Sequence, residues 1–188
     1  PLIIPSFLSL IRKSEFPEIS FVALRTLTLL VKKYQNYFTK GKLNIRYFFC
    51  LYEDPSYVKA EKLEIIVSLT NPTNVVTVLN EFEEYLGNVD IVFVQKTIHC
   101  LGKIALKVQA SSRRIVDILV NQLSQHETSY VIEAAILVFA DLFRIFPGEF
   151  ESVISQILSH IDLIKDPTSR AVVVWMLGQY SPFISNVD

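Results

Sequence analysis

Cysteine is scarce: there are two in 188 residues, and both Cys50 and Cys100 stand inside apolar runs. That excludes a disulfide framework and fits buried thiols in a reducing compartment, so a cytosolic setting is expected. Glycine is equally thin. None of the five builds a Gly-rich phosphate loop or a Gly-x-Ser-x-Gly elbow, and no His-Glu-x-x-His occurs. Charge of one sign is missing as well, since 18 basic against 19 acidic residues leave a net charge of −1. Without a basic field, strong nucleic-acid binding is excluded. Long apolar runs are absent too: Ala171 to Leu177 is among the longest, far short of the roughly 20 residues that a spanning helix needs. No transmembrane helix is expected. No signal-peptide pattern stands at the N-terminus, and Pro1 occupies the place of an initiator Met with the apolar pattern already running. The expectation is a piece of a longer protein.

The polar residues offer little chemistry. His99, His126 and His160 are the only histidines, and none has a second His, Cys or carboxylate at metal-ligand spacing on its own helix face. His99 and Cys100 are adjacent, but neighbours on a helix point about 100° apart. Glu81, Glu83 and Glu84 radiate around one helical turn as a solvated face. No catalytic residue, metal site or cofactor is therefore expected, and the chain reads as a non-enzyme. The densest basic region is Lys32, Lys33, Lys40, Lys42 and Arg46, interleaved with Tyr34, Tyr37 and Phe38. It could meet a phosphoinositide head group or an acidic partner, while a plain solvated edge is the simpler reading.

What the chain does have is 51% hydrophobic residues arranged with a period. An aromatic followed by Val recurs as Phe21-Val22, Tyr57-Val58, Phe93-Val94 and Tyr130-Val131, at intervals of 36, 36 and 37. Helix-start signals at Phe16, Asp54, Asp90, Thr128 and Asp166 are spaced 38, 36, 38 and 38. Two independent markers give one period, the mark of helix pairs that bury their apolar faces only by stacking on neighbours. The fold class expected is all-α, a right-handed α-solenoid of HEAT- or armadillo-like pairs. One domain over 1–188 is expected, with approximate repeats 1–15 (the end of a pair), 16–53, 54–89, 90–127, 128–165 and 166–188 (the start of a pair).

Within the repeats the spacing predicts a helix over Pro5 to Lys13 and another from Pro17 to about Tyr34. A short aromatic helix over Leu43 to Leu51 follows, and Asp54-Pro55, Asn71-Pro72 and Asp166-Pro167 read as N-cap and first-turn pairs. Val75, Val78, Leu79, Phe82 and Leu86 form a single stripe. Asp90 is expected to cap a helix that buries Ile91, Val94, Ile98, Leu101, Ala105 and Val108; Ser111-Ser112 opens its partner, with Val116, Leu119, Val120 and Leu123 inward. From Thr128 two adjacent stripes, Val131, Ala135, Val138, Leu142 and Ile132, Ile136, Phe139, Phe143, imply a helix buried on two sides. Pro147 is expected to start a helix with Phe150, Ile154, Ile157 and Ile161 inward, and Trp175 to lie in the core of the last.

The residues so arranged resemble the β-adaptins, the β-class large subunits of heterotetrameric clathrin-adaptor complexes, in the C-terminal part of their trunk. The resemblance runs through Phe21-Val22-Ala23-Leu24-Arg25, Phe48-Phe49, Asp54-Pro55, Tyr57-Val58-Lys59 and Glu61-Lys62-Leu63, then Ile98 to Lys107 with Leu101-Gly102. It continues in Asp141-Leu142-Phe143-Arg144, Pro147, and Trp175-Met176-Leu177-Gly178-Gln179-Tyr180, where Gln179 stands in place of the family's usual Glu. Such a resemblance implies a scaffold of vesicle-mediated protein transport, at work in endocytosis or Golgi trafficking. It would hold the medium subunit and the second large subunit while cargo is selected. It implies a cytoplasmic protein, peripheral on coated vesicles at Golgi, endosome or plasma membrane. Clathrin would be bound only through a hinge and appendage that this sequence lacks, and the membrane indirectly or through the weak basic patch. Val108 and Phe150 resemble edge positions that cover the cargo-binding domain of the medium subunit, and exposed apolar side chains there would favour that role. The alternative is another HEAT-repeat binding protein, such as a transport receptor.

Overall fold

The computed structural model describes residues 3–13, 16–34, 38, 43–125 and 128–180. Among them there are nine α-helices and no strands. The Val- and Ile-rich stretches follow their 3.6-residue stripes into helices against their β propensity. The chain forms two compact units, Pro1–Phe82 and Glu83–Asp188.

In the first unit, α1 spans Ile3–Lys13, α2 Pro17–Lys33 and α3 Ser56–Leu69, and α4, Val75–Leu86, begins there. Pro17 opens α2, where its missing N–H has no intrahelical partner to lose, and Glu18 sits at the positive end of the dipole. The most extensive contact is between α2 and α3, with α1 packed on α2. Leu24, Leu27, Phe48, Leu63, Ile66, Val78 and Phe82 are fully buried. All five residues of the Val75 stripe are buried.

Three local expectations are corrected here. Leu43 to Leu51 forms only a 3₁₀ turn, Ile45–Phe48. Its two buried residues are Ile45 and Phe48, the i, i+3 pair that a 3₁₀ turn eclipses on one side, and Asn44 Oδ1 accepts the Arg46 N–H at 3.0 Å. Asp54 is not an N-cap: Pro55 holds that place in extended geometry, and the Asp54 carboxylate is occupied elsewhere. Asn71 does not start α4 directly. Its side chain closes a turn on the N–H groups of Thr73 and Asn74, at 2.9 and 3.1 Å, and the helix begins at Val75.

In the second unit, α5 is Ile91–Lys107, α6 Ser112–Gln125, α7 Ser129–Ile145, α8 Ile154–Leu158 and α9 Pro167–Tyr180. Asp90 caps α5 through the N–H groups of Val92 and Phe93, at 3.0 and 3.2 Å. Asp166 caps α9 at Ser169 N, 2.8 Å. The α5–α7 contact is the most extensive, and α9 packs on α7. Both expected stripes of α7 are buried in full. Gly102 lets α5 and α7 approach: a Cβ there would lie 2.9 Å from Val138 Cγ1. The Tyr180 hydroxyl donates to Phe143 O at 3.2 Å, tying α9 to α7.

The Pro147 helix does not form. Gly148 takes φ 87°, a left-handed turn conformation incompatible with a first helical turn. The segment continues as a 3₁₀ turn at Glu151–Val153, α8 and a second turn at Ile161–Leu163. Ile161 is consequently exposed, and Ile164 is buried. Ile91 is exposed, Val120 half-buried, and Trp175 only half-buried: the core of α9 is made by Val173, Met176 and Tyr180. Trp175 instead carries the Arg144 guanidinium on its face, 4.5 Å from the ring centre.

Candidate functional site

In the first unit a recess lies where α1, α2 and α3 meet the 46–55 segment, a cleft of about 520 Å³. Its shape follows from two lysines on α3. Lys59 and Lys62 are both buried, and a buried ammonium must be paired and hydrogen-bonded to be tolerated. Lys62 Nζ reaches Asp54 Oδ2 at 2.5 Å and donates to Phe49 O at 3.3 Å. Lys59 Nζ donates to Tyr52 O at 3.1 Å. Asp54 Oδ2 also accepts the Leu51 N–H at 2.6 Å. The lysines thus staple the 49–54 loop onto α3 from beneath, leaving Leu51 and Tyr52 exposed above.

Pro17, Ser20 and Val58 line the apolar wall, while Arg46, Tyr47 and Glu53 line the rim. Ser20 Oγ is turned back to Ile11 O at 3.4 Å. The polar groups on the inner wall are therefore spent on loop geometry. The arrangement can receive a side chain or short peptide segment, and it assembles no nucleophile–base pair.

Of the basic residues singled out from sequence, Lys32 and Lys33 are exposed in the last turn of α2, and Arg46 is exposed in the 3₁₀ turn. Lys40 and Lys42 lie outside the described residues, as does His126. Val108 and Phe150 are both buried, so neither offers an exposed apolar edge. Val108 ends α5, and its carbonyl takes the Ser111 N–H and hydroxyl at 2.9 and 2.7 Å; Phe150 stands edge-on to Phe146, ring centres 6.0 Å apart.

His99 faces outward on α5; partial burial first, then the Lys103 ammonium, hold its imidazole below the usual value, with Asp141 opposing. His160 Nδ1 lies 2.8 Å from Gln156 O. Glu83 pairs with Arg114 across the surface at 3.4 Å. Among the described residues no group of three His, Cys, Asp or Glu side chains could hold a metal, and no helix is long and apolar enough to cross a membrane.

Sequence reasoning missed Glu133. Its Oε1 accepts from Ser129 Oγ at 2.8 Å, Lys165 N at 2.8 Å and Asp166 N at 2.9 Å. It thereby fixes the entry of α9 against α7. Burial pushes its carboxyl up, but the three hydrogen bonds outweigh it and hold the pKa below the ordinary value. Nothing local marks it, because two of its three donors lie over 30 residues away.

Residues 1–188 match the family described as the adaptin N terminal region. The chain belongs to this family. Among its relatives, the human AP-1 complex subunit beta-1 is 39% identical over 172 residues, covering 92% of this chain and 18% of that protein. The Dictyostelium discoideum AP-1 complex subunit beta is 36% identical over 182 residues, covering 97% and 19%. The Schizosaccharomyces pombe AP-2 complex subunit beta is 31% identical over 177 residues, covering 94% and 25%. This adaptin chain spans about a fifth of the length of the first two of these relatives. A homology model of the full-length AP-3 complex in an intermediate open conformation contains a chain that superposes with a TM-score of 0.74 at 18% identity, covering 95% of the adaptin chain and 29% of that one. At that identity the likeness speaks for fold alone, an all-α solenoid of helix pairs.

Proposed function

We propose that this adaptin segment is a scaffold within the β-class large subunit of a clathrin-adaptor complex, drawn from the later part of the trunk. Its work is to hold the medium subunit and the second large subunit while cargo signals are read at a coated membrane. The observation that carries this reading is the similarity to β subunits over nearly the whole chain. The side-chain chemistry supports it: the buried lysines, Asp54 and Glu133 all spend their charge on holding loops and helix ends. Function then belongs to surfaces and not to a reactive centre, and the segment is not an enzyme.

In this reading the protein works on the cytoplasmic face of Golgi, endosomal or plasma membranes, and reaches clathrin only through regions outside this segment. Lys32, Lys33 and Arg46 are exposed and available to an acidic partner or anionic lipid, an interaction that would weaken with salt. The experiment is co-purification of the segment with the N-terminal domain of a matching medium subunit. Retention of both is expected; failure with both partners folded counts against the assignment.

A further inference from the structure

Positive charge in the second unit collects on one outer face. α5 contains no Asp or Glu, and its Lys96, His99, Lys103 and Lys107 recur at i, i+3, i+7 and i+11, a single line on the helix. Lys96 is half-buried and the other three are exposed. The Lys103 ammonium disfavours a proton on His99, while Asp141 of α7 is close enough to favour one. Asp141 in turn accepts from Arg144 Nη1 at 3.2 Å, and the Arg144 guanidinium lies 4.5 Å from the ring centre of Trp175 on α9. Four cations and one carboxylate therefore follow one another across three helices, in a chain whose net charge is −1.

Arg144 is braced and not spent. Of its donors only Nη1 is engaged among the described residues, and the Trp175 ring beneath the guanidinium fixes where the fork stands. A planar fork held in place matches a carboxylate. Apolar side chains stand beside the charges: Leu106 lies one turn beyond Lys103 on α5 and Ile145 one turn beyond Asp141 on α7, and both are exposed.

We propose that this face of α5, α7 and α9 docks an acidic segment of a partner protein, with carboxylates on Lys103 and Arg144 and an apolar side chain against Leu106 and Ile145. Charge complementarity selects that occupant. A bilayer is the poorer fit, because Trp175 is half-buried beneath the guanidinium and offers no ring to insert. The docking is independent of the subunit contacts proposed above.

Trp175 is the one tryptophan of the chain, so its fluorescence reports on this face. The probe is a synthetic peptide of leucine flanked on each side by three glutamates, compared with the same peptide carrying glutamines in their place. Titration calorimetry gives the affinity. The acidic peptide should bind, shift the Trp175 emission as it saturates, and weaken as salt is raised; the glutamine peptide should not bind. Lys103→Gln with Arg144→Gln should lower the affinity about 10-fold or more, whereas Lys32→Gln with Lys33→Gln, which removes two charges from α2, should leave it unchanged. A second pair, Lys96→Gln with Lys107→Gln, covers a first variant that fails to fold and should also weaken binding. No binding of the acidic peptide, an emission that stays fixed while it binds, or an equal loss from the α2 variant would overturn the proposal. So would tighter binding to vesicles containing phosphatidylserine, or to single-stranded DNA, which would give the face to a membrane or a nucleic acid instead.

Discussion

Replacing Gly102 by alanine should destabilise the protein even though alanine is the better helix former. In an exposed helix interior the change gains about 1 kcal/mol. At Gly102 the new Cβ would stand 2.9 Å from Val138 Cγ1 and 3.0 Å from Val138 Cγ2. Val138 cannot swing away, because a valine in a helix has essentially one χ1 well and this one is buried. The helices must then separate along the most extensive contact of the second unit, and overpacking of this kind costs about 1–3 kcal/mol. The net expectation is a loss of about 1 kcal/mol. Val138→Ala alone, which removes two buried methyl groups, should cost about 2 kcal/mol. With both changes present the clash is gone, and Gly102→Ala should now stabilise by up to about 1 kcal/mol. Urea unfolding followed by far-ultraviolet circular dichroism on the four proteins measures the cycle. If Gly102→Ala has the same sign in both backgrounds, the close approach of α5 and α7 through Gly102 is refuted.

The loop staple and the α7–α9 clamp give two further expectations. Asp54→Ala leaves the buried Lys62 ammonium with only the Phe49 carbonyl among these partners and should cost about 3–5 kcal/mol. Asp54→Ala with Lys62→Met should recover most of that loss; a single-variant cost below about 1 kcal/mol would show the pair to be solvated. Glu133→Gln should destabilise by about 1.5–3 kcal/mol at neutral pH, the scale of hydrogen bonds to a charged acceptor. Because the folded-state pKa of Glu133 is depressed, its stabilisation is complete above the unfolded-state pKa and is lost as pH falls through the folded one. The difference between wild type and variant in denaturant midpoint should therefore shrink on acidification, and a constant difference would assign the role to shape instead of charge.

The long stripes could be read from the sequence because each is one helix wide and closed by a strong signal. Asp90 and Asp166 cap as expected, and the double stripe of α7 is buried in full. The misread elements share a cause: their local signals were overruled by groups distant in sequence or by one backbone angle. Asp54 has the chemistry of a cap, but Lys62, eight residues on, takes its carboxylate. Pro147 could open a helix, but Gly148 turns left-handed beside it. The aromatic 43–51 stretch needs only Ile45 and Phe48 inside, and a single 3₁₀ turn supplies that.

The site was less legible than the fold. A solvated face shows in charge spacing, and Lys32, Lys33 and Arg46 are exposed. Buried lysines that tie a loop from beneath have no periodic signature, and only the family resemblance marks Lys59 and Lys62 in the sequence. Val22 shares its place in the repeat with Val58, Val94 and Val131, yet it is exposed where they are buried. Position in the period fixes which way a side chain points, and the neighbouring helix decides whether it is covered.

The role proposed for this chain is that of a scaffold for other adaptor subunits. Its most direct measurement is size-exclusion chromatography with light scattering of the segment mixed with the N-terminal domain of a matching medium subunit, each at about 10 μM, above the Kd of a stable interface. A one-to-one complex that survives the column is the predicted result. Two folded proteins that elute separately, at low and at physiological salt alike, would contradict it.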